Sequence, residues 1–269
     1  MELKALFSVE KPLLGMIHLL PLPGSPRYGG DLGVILERAL GDAQTLRAGG
    51  THGLVIENFG DLPFLPGRVE AITVAAMTRI VSEVRRSVDL PCGVSVLRND
   101  AEAALSIATA TGSSFIRVGI HIGAMVTDQG IIQGRAHETL RLRSRLGVPL
   151  KIFADLQVKH AHPLGTPDPE REARDLTGRG LADAVVVSGV ATGEPADLEV
   201  VGQIKSAIPE TPVLVGSGVC KENVKAMLKV ADGAIMGTHL KEGGLIDRPV
   251  DQARVEALVR KGRSVPLSS

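Results

Sequence analysis

Five ionisable residues stand out because each falls at or just past the end of a short apolar run. They are His18, Glu57, Arg117, Asp155 and Lys159. A carboxylate there suits a general base or a metal ligand, and a guanidinium suits an anion or an enolate. A histidine moves protons near neutral pH. Asp155 or Glu57 fills the first role and Arg117 the second. Lys159 is an acid/base group, an amine nucleophile, or simply a solvated loop lysine. The competing reading of the set is an ion-pair network, Arg117 with Glu57 or Asp155, that only braces the fold. Buried pairs are weak sources of stability, which favours the functional reading.

A second group is built for anions. Val213 to Val215 is a short apolar run followed by Gly216, Ser217 and Gly218, and Gly233 to Met236 is followed by Gly237 and Thr238. Glycine lets backbone N–H groups close on phosphate oxygens, and a following helix adds its positive end. Such a helix is expected to open around Lys221 and Glu222, and a short one over Thr238 to Gly243. Ordinary strand-to-helix turns use the same residues, but the pair in this order matches the phosphate site that follows the last two strands of a (β/α)8 barrel. Asn58, Asp61 and Asn99 lie just past two other runs. They would bind sugar hydroxyls or a divalent cation, or else serve turns and caps, which use the same side chains. Asp100 reads as a helix cap. His160 and His162 follow the Asp155 run, where a metal pairing competes with plain surface exposure. No metal ligand set and no cofactor is assigned from the sequence; a divalent cation remains open.

Positioning these groups takes a repeating frame. Apolar runs begin at Leu13, Gly53, Cys92, Phe115, Leu150, Ala184, Val213 and Gly233, and an amphipathic stretch follows each. The boundaries read as strands over 13–18, 53–57, 92–96, 115–118, 150–155, 184–188, 213–215 and 233–236. Helices read over about 31–48, 69–88, 101–111, 136–146, 168–178, 197–208 and 250–261. The connection from Gly119 to Gly134 is long, and such loops are often functional. Eight βα units with no linker give a TIM barrel, residues 1–269 forming one domain. An open doubly wound sheet would carry its phosphate glycines after the first strand; the loop there, LPLPGSP from Leu20 to Pro26, has no GxGxxG pattern.

Bulk properties agree. The 269 residues suit one barrel, which needs about 250. With 30 basic and 30 acidic residues and few aromatics, no electrostatic or stacking footprint for nucleic acid exists. No apolar run approaches the ~20 residues of a membrane span, and the first residues lack a secretion signal. A cytoplasmic protein with two reduced cysteines is expected. Peripheral membrane contact is left open, and assembly as a homo-oligomer is expected.

Longer motifs carry a resemblance. GMIHLLPLPGSPRY from Gly15 to Tyr28 resembles the opening signature of the BtpA/SgcQ family. So do IENFGD from Ile56, VLRND from Val96, FIR from Phe115, FADLQVKH from Phe153, and Gly216 to Gly218 with Glu222 and Asn223. Ser95 stands where the resemblance would place Asn, and Val118 to Ile122 also departs from the usual form. The resemblance implies a barrel of the ribulose-phosphate-binding type. It also implies a link, through the family's cyanobacterial namesake, to photosystem I biogenesis as a peripheral membrane protein. Other members occur in non-photosynthetic bacteria and archaea, some beside sugar-uptake genes. Two functions follow as expectations. One is an enzyme of isomerase or lyase type acting on a phosphorylated small molecule. The other is a non-enzymatic assembly factor for a membrane complex.

Overall fold

The computed structural model describes residues 2–156, 158–189 and 191–264. Its elements run α1 (Leu3–Phe7), β1 (Leu13–His18), α2 (Leu32–Ala48), β2 (Gly53–Glu57), α3 (Ala71–Ser87), β3 (Cys92–Ser95), α4 (Ala101–Thr111) and β4 (Phe115–Val118). There follow β5 (Ala124–Thr127), β6 (Gly130–Gln133), α5 (Ala136–Leu146), β7 (Lys151–Leu156), β8 (Ala161–Pro163), α6 (Pro169–Gly178) and β9 (Ala184–Val187). The chain ends with α7 (Leu198–Ala207), β10 (Val213–Val215), α8 (Val224–Val230), β11 (Gly233–Met236), two 3-10 turns and α9 (Gln252–Arg263). Eight strands close a parallel barrel in the order β1-β11-β10-β9-β7-β4-β3-β2. The TIM barrel expected from the repeating frame is therefore the fold.

Alternation along each strand sorts the side chains. The outward set packs under the helices in one large apolar layer that includes Ile17, Ile56, Val94, Ile116 and Ile152. The inward set is Leu14, Met16, Val55, Phe115, Phe153, Ala184, Val186, Leu214 and Ile235. The small α1 was not legible in the sequence. It closes the lower end: Phe7 meets Phe115 and Phe153 edge-on at 5.8 and 6.3 Å, and those two rings stack at 4.4 Å. Such aromatic pairs prefer these offset and edge geometries.

Several expectations need correction. The connection 119–134 is not an irregular loop. It holds the antiparallel hairpin β5–β6, with β8 added on the other edge of β5. Met125 and Ile132 alternate inward there and cluster with Ile120 and Val158, while Gly130 takes the turn at φ +93°. The helix expected from Lys221 begins only at Val224. Asn223 holds the intervening turn, its Oδ1 accepting from Cys220 N–H at 2.8 Å and its Nδ2 donating to Gly218 O at 2.8 Å. The last helix starts at Gln252, because Asp251 caps it by accepting from Arg254 N–H at 3.2 Å.

One buried ion pair anchors the segment after β11. Lys241 donates to Asp42 Oδ2 at 2.8 Å, and Asp42 Oδ1 also accepts from Val250 N–H at 2.7 Å. Both side chains are almost fully buried. Breaking such a pair from one side strands the other charge, so Asp42→Ala is expected to cost ~3–5 kcal/mol in urea unfolding. The double variant Asp42→Leu, Lys241→Met should recover part of that loss. It should not recover all, since Val250 N–H is left without an acceptor.

Candidate active site

Each inward row of the barrel ends in a polar side chain or a glycine. Reading two residues up from the apolar layer gives His18 on β1, Glu57 on β2, Ser95 on β3, Arg117 on β4 and Asp155 on β7. The same step beyond β9, β10 and β11 gives Ser188, Gly216 and Gly237. Register puts the first four side by side: His18 is opposite Glu57, Glu57 opposite Ser95, and Ser95 opposite Arg117. Asp155 stands two residues above Phe153, the partner of Arg117. It can therefore reach back over the guanidinium.

It does so with both oxygens. Arg117 Nε and Nη2 donate to Asp155 Oδ1 and Oδ2, each at 2.9 Å, and both groups are buried. Burial works against the Arg117 charge, but Asp155 and then Glu57 overcome it and hold the guanidinium protonated. Glu57 is less committed. Its Oε2 accepts from Ser95 Oγ at 2.9 Å. Burial first, and then the cations Lys241, Lys159 and Arg117, push His18 well below its ordinary 6.5, so the ring is neutral at physiological pH. Burial also lowers Lys159 to about 8, helped by Arg117 and Arg98 and opposed by Asp155 and Glu57.

Both glycine turns open on the same cavity as these groups. It encloses about 420 Å³ and is lined by Gly216 to Gly218, Gly237 and Thr238 as well as by His18, Glu57, Arg117, Asp155 and Lys159. The glycines are required by contact. A Cβ on Gly216 would lie 3.1 Å from Arg117 Nη2 and 2.6 Å from Ser188 Oγ. Gly218 has φ +63°, and a Cβ there would fall 2.2 Å from the backbone of Glu194. Ser217 aims its hydroxyl elsewhere than expected. It accepts from Gly189 N–H at 2.9 Å and donates to Glu194 O at 2.8 Å, tying down the loop after β9. After β11, the first 3-10 turn makes its first bond from Leu240 N–H to Gly237 O. The amides of Thr238 and His239 are left at its open end, where an anion would be held.

Of the remaining expected residues, His160 lines the cavity, and Asn58, Asp61, Asn99, Asp100 and His162 fall outside it. Asn58 is buried and clamps Leu97, accepting from its N–H at 2.7 Å and donating to its carbonyl at 3.3 Å. Asp61 accepts from Leu22 N–H at 2.7 Å. Asn99 accepts from Ile120 N–H and donates to Ile120 O, both at 2.8 Å. These three hold loops together. Asp100 caps α4, as its place before an alanine-rich helix implies. His160 reaches the mouth and pairs with Thr192 at 3.1 Å, whereas His162 is exposed on β8. Among the described residues, no three His, Cys, Asp or Glu side chains cluster as metal ligands would.

Sequence reasoning missed Ser95, Phe59 and Phe64 as cavity residues, and it marked Arg98 only as part of the polar stretch Arg98 to Asp100 past β3. Counting by twos along β3 would have found Ser95. Arg98 bonds the carbonyl of Lys159 and so fixes the segment that carries the amine. Its place just past β3 marks it as polar, but not as the partner of a carbonyl 61 residues away.

Comparison with known proteins shows the family and the fold. The sequence profile described as "BtpA family" matches residues 9–264. The "Photosystem I biogenesis protein BtpA" of Synechocystis is 45% identical over 96% of this chain and 90% of its own length. A Thermococcus kodakarensis protein is 47% identical over 97% of this chain and 98% of its own. Among solved structures, N-(5'-phosphoribosyl)anthranilate isomerase from Pyrococcus furiosus has a TM-score of 0.57 at 16% identity. It covers 94% of this chain and 100% of its own, a likeness of fold.

The lowered Lys159 value makes a pH prediction. The neutral amine should predominate above about 8 rather than above the ordinary 10.5. Amine labelling across pH, read at the Lys159 peptide by mass spectrometry, should show its midpoint near 8. Arg117→Met removes a repelling cation, so the ammonium is favoured and the midpoint should rise. A wild-type midpoint above 10 would refute the assignment.

Proposed function

The chain belongs to the BtpA family, and we propose that its barrel is an enzyme acting on a phosphorylated small molecule by acid/base chemistry. One observation carries the reading: two glycine turns and a charged set share one cavity at the carboxyl ends of the strands. In open and closed α/β barrels that face is where ligands bind. The phosphate would sit against the amides of the Gly216 to Gly218 and Gly237 to Thr238 turns. The reacting carbon would then face Arg117 and the carboxylates.

Roles follow from how each group is tied. Asp155 is held bidentately by Arg117, so its job is to fix that guanidinium where an enolate or carboxylate would form. Among the described residues Glu57 takes a side-chain hydrogen bond only from Ser95, on one oxygen, and is the freer base. Lys159, with its lowered pKa, is placed as the partner acid or as an amine nucleophile. His18 stays neutral and can take or give one hydrogen bond. Proton abstraction next to a carbonyl, followed by reprotonation or loss of a leaving group, gives an isomerase or a lyase.

A second reading is favoured by a relative's name. A 45% identical protein is called a photosystem I biogenesis protein, which supports a non-enzymatic assembly role at a membrane complex. Among the described residues no helix is long and apolar enough to cross a membrane, so such a role would work from the surface. The two readings separate on Asp155→Ala in a host that needs the protein: unchanged biological activity favours assembly.

Two outcomes test the enzyme reading. Ribose 5-phosphate or a related phosphosugar should raise the thermal midpoint of the wild-type protein. Thr238→Asp, which places a carboxylate at the open end of the 3-10 turn, should weaken that binding roughly tenfold or more. In D2O the bound phosphosugar should exchange a proton next to its carbonyl, seen by NMR. Glu57→Gln should slow that exchange by about 10²- to 10⁴-fold. Stabilisation by no phosphorylated compound would sink the proposal.

A further inference from the structure

The chain has five phenylalanines, one tyrosine and no tryptophan. Phe7, Phe115 and Phe153 interlock at the barrel floor. The other two, Phe59 and Phe64, belong to none of the three apolar clusters that form the core. Both line the mouth cavity and are partly exposed. Their ring centroids are 6.4 Å apart, and Phe59 lies 4.9 Å from the ring of His18. His18 in turn borders the second glycine turn, since a Cβ on Gly237 would sit 2.8 Å from its Cε1. Three rings thus form a shelf leading outward from the anion cradle.

Phe59 is also held in place from both sides. Asn58 before it grips Leu97 at two points and donates to Asp61 Oδ2 at 3.0 Å. Asp61 after it grips Leu22. Gly60 between them donates to Leu19 O at 3.0 Å, and a Cβ there would fall 2.4 Å from Pro21 N. A large apolar ring that fills no core, at the rim of a pocket, on a loop fixed by four side-chain hydrogen bonds, is organised for something outside the chain. His18 adds a polar edge: its Nδ1 is buried and has no hydrogen-bond partner among the described residues.

We propose that the preferred ligand carries a flat unsaturated ring that lies on Phe59 and Phe64, so that a phosphosugar bearing an aromatic or heteroaromatic ring binds in preference to a bare sugar phosphate. The proposal rests on the phosphate reading of the glycine turns and adds the identity of the other end. His18 borders the second glycine turn on one side and Phe59 on the other, so phosphate and ring would lie to either side of it, as in a compact nucleotide-sized compound.

Calorimetry on the full chain tests it with four probes: ribose 5-phosphate, uridine 5′-monophosphate, adenosine 5′-monophosphate and phenyl phosphate. At least one ring-bearing probe should bind roughly ten- to a hundredfold tighter than ribose 5-phosphate, the range that stacking on an aromatic side chain gives. Phe59→Leu should erase most of that advantage, and Phe64→Leu serves as the second variant if the first lowers the thermal midpoint. Equal affinity for ribose 5-phosphate and every ring-bearing probe overturns the shelf while leaving the cradle standing. So does an advantage that survives both variants. Failure of all four probes and of inorganic phosphate to bind refutes the cradle, and the shelf falls with it.

Discussion

A guanidinium cannot sit in the middle of a barrel without an anion beside it, and the top of this molecule is arranged around that constraint. Arg117 is buried among eight strand ends, and both oxygens of Asp155 meet it. The pairing is possible because Asp155 stands one inward step above Phe153 on the neighbouring strand. It also needs the gap left by Gly216, where any larger residue would crowd the guanidinium. Charge is costly to desolvate, and a fixed bidentate pair is the geometry that offsets the cost. Once Arg117 is locked, its field reaches the other groups. It adds to burial in holding His18 neutral and in lowering Lys159.

The cavity above the pair is chemically divided. On the side of β10 and β11 it is walled by backbone and small residues, and on the side of β2 by phenylalanine rings. The charged groups lie between. Loops that look polar and ligand-seeking in isolation, around Asn58, Asp61 and Asn99, instead bind backbone and stiffen this wall. Ser217 does the same for the loop after β9. Their polarity serves positioning, which fits the general finding that a site's support is as specific as its contacts.

How much of this the sequence discloses depends on the range of the interaction. Strands and their inward rows are local, with a period of two, so His18, Glu57, Arg117 and Asp155 could be aligned before any coordinates. Glycine turns are local as well. What stayed hidden is long-range or degenerate. Lys241 and Asp42 are separated by 199 residues and look like ordinary surface charges, yet they form a buried pair. The hairpin in 119–134 was hidden by short runs of only four residues each, too brief for a clear alternation. Asn58 could not be sorted between ligand and clamp, because both uses need the same amide. The α1 plug is five residues long and has no side-chain cap to announce it.

That plug has a wider consequence. With Phe7 wedged against Phe115 and Phe153, the lower end of the barrel is stoppered. The molecule is a cup and not a conduit. Whatever enters must leave over the same rim, so departure of one guest has to precede arrival of the next, and hand-over to a neighbouring protein can happen only at that rim.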